Sequence, residues 1–359
     1  DEDAYQHLPG ILEEYGYYTV QLSNELYADA YSINFQNAFD EANGRSAQQD
    51  PVIYTLSKLY PGTTFLFQQE VLQRATDRLE HIYFIKDMSN PYQQVTEAPL
   101  KFNDTEKIDQ VLSLLKEHDQ PVFIHLHWMG THGPVYYPEE QVFSRGLNIN
   151  NQKFDSQLFY YDSVLEFDQA VKRLYQTLSD NGSLENTLMV VSSDHSQKWT
   201  NSRLPLLFHF PRDEYAGTIN HNVESIDIAP TLLDYLGIPE PTWMTGQSLL
   251  SDSYLVHPIF IARIPESSTD ALSGKIVYPE SKAPFYQFGR MSVVVCDNWF
   301  ELNLSTMAMT DGKVGYYSSP CSTTVSQLDA LNLIANHLQL YGFDVSSLHT
   351  LRDELLTAK

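Results

Sequence analysis

From Leu8 to about residue 250 the chain alternates helix-like stretches with short apolar runs rich in β-branched and aromatic residues, and this alternation constrains the fold more than any other feature. Strands joined by helical crossovers lie side by side in parallel, with the helices covering the faces. The expected class is therefore α/β, a mostly parallel sheet sandwiched by helices. Strands are expected at 18–22, 64–67, 81–85, 122–127, 187–192 and 204–210, several of them apolar on both faces as buried parallel strands are. Residues 107–117 and 159–178 repeat apolar side chains at three and four spacing and read as amphipathic helices, the second stopped by Asn181-Gly182.

Composition changes after Gly246-Gln247-Ser248-Leu249-Leu250, which divides the chain into an α/β domain over 1–250 and a C-terminal subdomain over 251–359. The second part opens on a Ser- and Pro-rich stretch, 251–284. It continues with an alternating run at 291–304 and a turn expected at Thr310-Asp311-Gly312-Lys313, the signature of a small antiparallel subdomain. A helix over 325–340 closes the chain. The two cysteines, Cys296 and Cys321, either bridge across this hairpin or stay unpaired, and the sequence leaves both open.

A formal charge of −24 on 359 residues argues against nucleic acid or an anionic membrane surface as a partner, since both would be repelled. No run approaches the ~20 apolar residues of a membrane-spanning helix, so no transmembrane segment is expected. The first ten residues, DEDAYQHLPG, also lack the basic and then apolar profile of a signal peptide.

Chemistry concentrates at two strand ends. In NTLMVVSSDHS, 186–196, an apolar strand runs directly into Asp194 and His195, and in open α/β sheets ligands bind at the carboxyl ends of strands. A hard carboxylate oxygen beside an imidazole nitrogen suits a divalent metal; the alternative is an Asp that caps the next turn beside an incidental His. In PVFIHLHWMGTHGPVYYP, 121–138, His125 and His127 share one strand face and read more readily as core histidines. His132 lies between small residues in the following loop, where it can reach a substrate oxygen as donor or acid. The segment NVESIDIAPTLLDYLG, 222–237, reads as a structural helix opened by Pro230 and closed by Gly237.

Taken in order, these segments resemble the sulfatase and alkaline-phosphatase-like superfamily, which also includes phosphoethanolamine and phosphoglycerol transferases. LPGILEEYGYY is similar to the family's helix, Gly-Tyr and strand segment; THGP carries its substrate-side His; and YYDSVLEFD is similar to its helix before the metal strand. SSDHS resembles its metal motif, Arg203-Leu204-Pro205-Leu206-Leu207 its "R-V-P-L" strand, and SIDIAPTLLDYLGIP its most recognisable stretch.

The resemblance implies hydrolysis of sulfate or phosphate esters, with an enzyme nucleophile attacking and a divalent metal (Ca, Mg, Mn or Zn) stabilising the anion. It makes Asp194 and His195 metal ligands, His132 a catalytic contact to the ester, and Lys198 a second catalytic group. It further implies an anionic ester partner, a sulfated or phosphorylated glycan, lipid or small molecule, and an extracytoplasmic location. The family's nucleophile stands in a Cys/Ser/Thr-x-Pro-x-Arg pattern upstream of the Gly-Tyr segment, and no arginine here closes one. A cleaved N-terminal segment or a partner chain is thus expected to complete the fold. The competing expectations are a catalytically inactive subunit of this fold with a binding or structural role, a phosphoethanolamine- or phosphoglycerol-type transferase, and an unrelated α/β enzyme using Asp194 and His195 as an acid/base pair.

Overall fold

The computed structural model describes residues 7–24, 29–30, 39–44, 104–153, 156–196, 203–263, 268–269, 276–277, 283–285, 288–314 and 324–357, with positions 59, 64, 67, 68, 71 and 75. In chain order the principal elements are α1 (Leu8–Glu14), β1 (Tyr18–Leu22), β2 (Glu41–Ala42), α2 (Asp104–Glu117), β3 (Val122–Leu126), α3 (Gln157–Asp180), β4 (Met189–Ser192), β5 (Leu206–His209) and α4 (Ile228–Leu236). The chain continues with β6 (Ile259–Arg263), β7 (Ser268–Thr269), β8 (Ile276–Val277), β9 (Arg290–Val295), β10 (Asn298–Asn303), β11 (Met309–Lys313), α5 (Gln327–Leu340) and α6 (Ser346–Thr357). They fall into two compact units, Asp1–Asn186 and Thr187–Lys359, and the division expected at residue 250 lies inside the second.

The first unit is built on a parallel sheet of order β2-β1-β3, in which β1 runs beside β3 from Tyr18↔Val122 to Leu22↔Leu126. Alternation along the strands sorts the side chains. Val20, Leu22, Ile124 and Leu126 meet Val111 and Leu114 of α2 and Leu174 of α3 on one face. Phe123 packs with Ala30, Phe39 and Ala42 on the other. On this second face Thr19 and Gln21 of β1 are buried polar residues, and His125 of β3 is exposed.

In the second unit β4 and β5 form a two-stranded ribbon with Met189↔His209 and Ser192↔Leu206 in register. The ribbon is antiparallel, so the parallel arrangement expected for these two strands is corrected: the chain doubles back after His195 and returns beside itself. Helix α4 ends where the sequence places its stop, with Gly237 at φ 68°, a left-handed conformation that favours glycine.

The C-terminal sheet is antiparallel with strand order β11-β10-β9-β6. Met291, Val293, Phe300 and Leu302 of this sheet pack on Ala330, Leu331, Ile334 and Leu338 of α5 and on Leu348 of α6. Each fully buried Leu or Ile there contributes roughly 1.5–3 kcal/mol of transfer free energy. Helix α5 starts at a reciprocal cap, where the Asp329 carboxylate accepts from Ser326 N at 2.9 Å and the Ser326 hydroxyl accepts from Asp329 N at 3.2 Å. The helix expected to close the chain is followed by a second, α6.

Two local expectations are overturned. Thr310–Lys313 is strand, not turn. Gly312 sits under the Trp299 ring, where a Cβ would come within 2.7–2.9 Å of indole atoms, so this glycine permits close approach rather than reversal. The reversal comes earlier, where Asn303 Oδ1 accepts from the amides of Ser305 and Thr306, both at 3.0 Å. Thr64 and Phe67, inside an expected strand, are helical; Phe67 and Val71 stand four residues apart and continue a helical period. The strand expected at 81–85 lies outside the described residues.

Cys296 is disulfide-bonded, and Cys321, the only other cysteine, lies outside the described residues.

Candidate active site

In the first unit the loop after β3 is held by a buried ion pair that the sequence did not reveal. Asp104, the first residue of α2, is fully buried, and Lys107 one turn on is 5% exposed. Lys107 Nζ donates to Asp104 Oδ1 at 2.6 Å, to Asn24 Oδ1 at 2.8 Å and to the His127 carbonyl at 2.8 Å. The second oxygen of Asp104 accepts from Met129 N at 2.8 Å and Gly130 N at 2.6 Å. One ammonium and one carboxylate thereby tie the ends of β1 and β3 to the start of a helix. Burial pushes the Asp104 carboxyl above the usual carboxylate range, with Lys107 and the two amides pulling against it. Gly130 fits because a Cβ there would stand 2.8 Å from Trp128 Nε1 and 3.4 Å from Asp104 Oδ2.

His132 is carried by this fastened loop. Its amide donates to the Met129 carbonyl at 2.9 Å, and its Nδ1 lies 2.7 Å from the Gly133 carbonyl. A carbonyl only accepts, so Nδ1 carries a proton, and in the neutral ring Nε2 is the acceptor. Of the other two histidines, His125 shares the Phe123 face and stacks on Phe39, with ring centroids 6.4 Å apart. His127 Nε2 lies 3.1 Å from Met129 Sδ.

In the second unit Asp194 and His195 follow β4 directly. The His195 amide donates to Asp194 Oδ1 at 2.8 Å, and the Ser193 hydroxyl donates to the His195 carbonyl at 2.7 Å, which sets the turn. His195 Nδ1 lies 2.9 Å from the Ser196 carbonyl and so carries its proton there. Its Nε2 stands 3.5 Å from Asp194 Oδ2. Lys198 lies outside the described residues. His132 belongs to the first unit and the Asp194-His195 pair to the second.

The pair passes a donor-set test for a divalent metal. Two ligand atoms each about 2.0–2.2 Å from one ion, at a near-tetrahedral angle, are themselves about 3.4 Å apart. A His that binds through Nε2 ordinarily gives its other N–H to a carbonyl, as His195 does to Ser196. The pair fits two positions of a shell; among the described residues no group of three or more His, Cys, Asp or Glu side chains assembles around one point.

Helix α4 is structural, and Asp227 explains why. Its buried carboxylate accepts from Gln247 N at 2.8 Å, Glu224 N at 2.9 Å and the Tyr254 hydroxyl at 3.0 Å. Thr231 Oγ1 donates to the Asp227 carbonyl at 2.6 Å and accepts from Leu249 N at 2.9 Å. Gly246 is obligatory beside this latch, because a Cβ there would lie 2.1 Å from the Ile226 carbonyl oxygen. Asp104, Lys107 and Asp227 were missed as organising groups since an acid at a helix start, with or without a base three residues on, ordinarily marks a solvated face.

The chain is similar to the extracellular sulfatase SULF-1 homolog of Drosophila melanogaster, 34% identical over 97 residues, covering 23% of this chain and 9% of that protein. It is also similar to the sulfatase YdeN of Escherichia coli, 27% identical over 167 residues, covering 41% of this chain and 29% of that protein. The chain thus spans less than a third of the length of either relative. The crystal structure of Ps i-CgsB in complex with k-i-k-neocarrahexaose shares the fold, with a TM-score of 0.54 and 14% identity over 97% of this chain and 78% of that one. The sulfatase family model matches residues 2–238, well over half of the sequence, and the chain belongs to the sulfatase family.

Proposed function

We propose that this chain hydrolyses sulfate esters, or chemically similar phosphate esters, and that Asp194, His195 and His132 act in that reaction. The observation that carries the reading is the Asp194-His195 pair at the end of β4, with Oδ2 and Nε2 at a separation suited to one cation, in a chain of the sulfatase family. Cleaving such an ester requires a nucleophile that bonds to the sulfur or phosphorus as the ester bond breaks, an offset for the anion's charge and a proton for the leaving oxygen; the nucleophile would come from the segment or partner chain expected to complete the fold. Asp194 and His195 would hold a divalent ion (Ca, Mg, Mn or Zn), which when bound offsets the charge on the ester oxygens. Once its Nε2 is protonated, His132 donates from that nitrogen to the ester and gives its proton to the leaving oxygen. Its loop is pinned by Asp104 and Lys107, so the imidazole is positioned before substrate arrives. Lys198 adds a positive charge close in sequence to the pair.

The substrate class is a sulfated glycan or other anionic ester. Placement outside the cytoplasm is supported by the disulfide at Cys296 and by the extracellular relative. Among the described residues no helix is long and apolar enough to cross a membrane.

Elemental analysis combined with turnover of p-nitrophenyl sulfate and p-nitrophenyl phosphate tests the reading. The expected outcome is bound divalent metal that falls in Asp194→Asn and His195→Ala, and, in His132→Ala, unchanged metal with turnover lower by about 10²–10⁴-fold. A protein with neither metal nor turnover on either ester would overturn the proposal and leave a non-catalytic member of the family.

A further inference from the structure

We infer that Arg203, just before β5, is an anion-binding residue whose guanidinium takes an oxygen of a sulfate or phosphate group. The inference rests on the hydrolase reading and adds to it a substrate contact. β4 ends at Ser192 opposite Leu206, the first residue of β5, and the Asp194-His195 pair follows the one while Arg203 precedes the other by three residues. Arg203 therefore stands at the same end of the ribbon as the Asp194-His195 pair.

Its guanidinium is held from behind. Nε donates to Asn222 Oδ1 at 3.0 Å, and Asn222 Nδ2 donates to the Cys296 carbonyl at 2.5 Å. Cys296 is itself fixed by its disulfide and by a left-handed backbone, φ 56°, in the turn between β9 and β10. Nη2, by contrast, is buried and meets no acceptor among the described residues. Asp297 feels the charge of Arg203, but its oxygens are engaged by Lys313 at 2.7 Å and Asn298 at 2.9 Å.

Arginine does not shed its proton, so this N–H is a buried charged donor without a partner among the described residues. Such a group costs free energy wherever it is left unmatched, and folds retain one chiefly where something else supplies the acceptor. In a chain of net charge −24, an arginine oriented through one edge and unmatched on another is suited to an incoming oxyanion. A tetrahedral sulfate or phosphate offers oxygens on every side, and the ester's anionic group and the free inorganic ion share that chemistry.

Calorimetric titration of the full chain with inorganic sulfate and with inorganic phosphate tests this independently of turnover. A parallel KM measurement on p-nitrophenyl sulfate separates the ester from the free ion. In Arg203→Lys, which keeps the charge and loses the fork, affinity for the inorganic ion is expected to fall about tenfold or more. KM for the ester should rise by a similar factor if the ester's own group is the ligand. Arg212→Gln, at an exposed arginine paired with Glu214, should leave both unchanged. Thermal unfolding of each variant reports folding, and Arg203→Gln is the alternative should the lysine variant fail to fold.

Sulfate or phosphate binding that depends on Arg203 without ester turnover would support the anion site and remove the hydrolase reading. Turnover with inorganic-ion affinity and KM within twofold of the parent in Arg203→Lys would retain the hydrolase and remove the anion site. A parent chain that binds neither inorganic ion also overturns the inference.

Discussion

The substitution Lys107→Met tests whether the buried pair, rather than the helix packing around it, fastens the His132 loop. The methionine keeps the length and apolar stem of the lysine and removes only the ammonium. Three acceptors then lose the ammonium: Asp104 Oδ1, Asn24 Oδ1 and the His127 carbonyl. The Asp104 carboxylate keeps its two backbone amides, but its charge is left unpaired at 0% exposure. Breaking a buried pair from one side costs about 3–5 kcal/mol. Part of that returns in the double variant D104N/K107M, where a neutral carbonyl still accepts both amides, and coupling of about 1–3 kcal/mol is expected.

The cost also depends on pH in a definite direction. Burial raises the Asp104 pKa in the folded protein, and a carboxyl with a raised folded pKa contributes stability below its unfolded pKa that is lost as pH rises through the folded value. Without Lys107 the foremost opposing influence is gone and the folded pKa moves higher. The variant should therefore lie closest to the parent near about pH 4 and fall furthest behind near about pH 7. Urea unfolding at both pH values measures this, with hydrogen exchange at Met129 and Gly130 as the local readout. A cost under about 1 kcal/mol at pH 7, or one that is equal at the two pH values, would refute the reasoning.

Gly246→Ala is expected to cost about 3 kcal/mol in a urea melt, because its Cβ would meet the Ile226 carbonyl oxygen at 2.1 Å and backbone rather than side chain must move. Gly312→Ala should cost about 1–3 kcal/mol and shift the near-ultraviolet dichroism of Trp299; a silent substitution would restore the turn reading of that segment. For Asp162, burial pushes the carboxyl up, but the Ser144 hydroxyl and the amides of Phe143, Ser144 and Val142 outweigh it and hold the pKa below the usual range. Its contribution is therefore present above about pH 4 and lost as pH falls through the folded value, and a pH titration of stability should be flatter at its acid end in Asp162→Asn.

The elements most legible in the sequence were those whose packing is local or complete. The strands at Tyr18–Leu22 and 122–126 carry enough β-branched and aromatic residues to be read as strands, and α3 carries its own period and stop. Gly237 could be placed as a helix stop because the demand for a left-handed residue is local. Gly312 could not: the constraint on it comes from the Trp299 ring on the neighbouring strand, and Asp-Gly in isolation reads as a turn. The direction of β5 was similarly hidden, since an apolar run carries no mark of the strand it will pair with.

The site divides along the same line. Asp194, His195 and His132 stood out because each ends a strand pattern in a residue type that binds or transfers protons, and sequence order alone carries that signal. The residues that hold them in position carry no such mark. Asp104 and Lys107 look like an ordinary i,i+3 surface pair until α2 is packed against the β1–β3 sheet, which removes water from both. Asn222 looks like a loop residue until the β9–β10 turn arrives from seventy-four positions away and takes its amide. Reactive groups are recognisable one residue at a time, whereas positioning groups become so only through partners distant in the chain. The buried pair in the first unit and the Arg203-Asn222-Cys296 relay in the second are therefore where substitutions should alter function without touching a residue that the sequence marks as chemical.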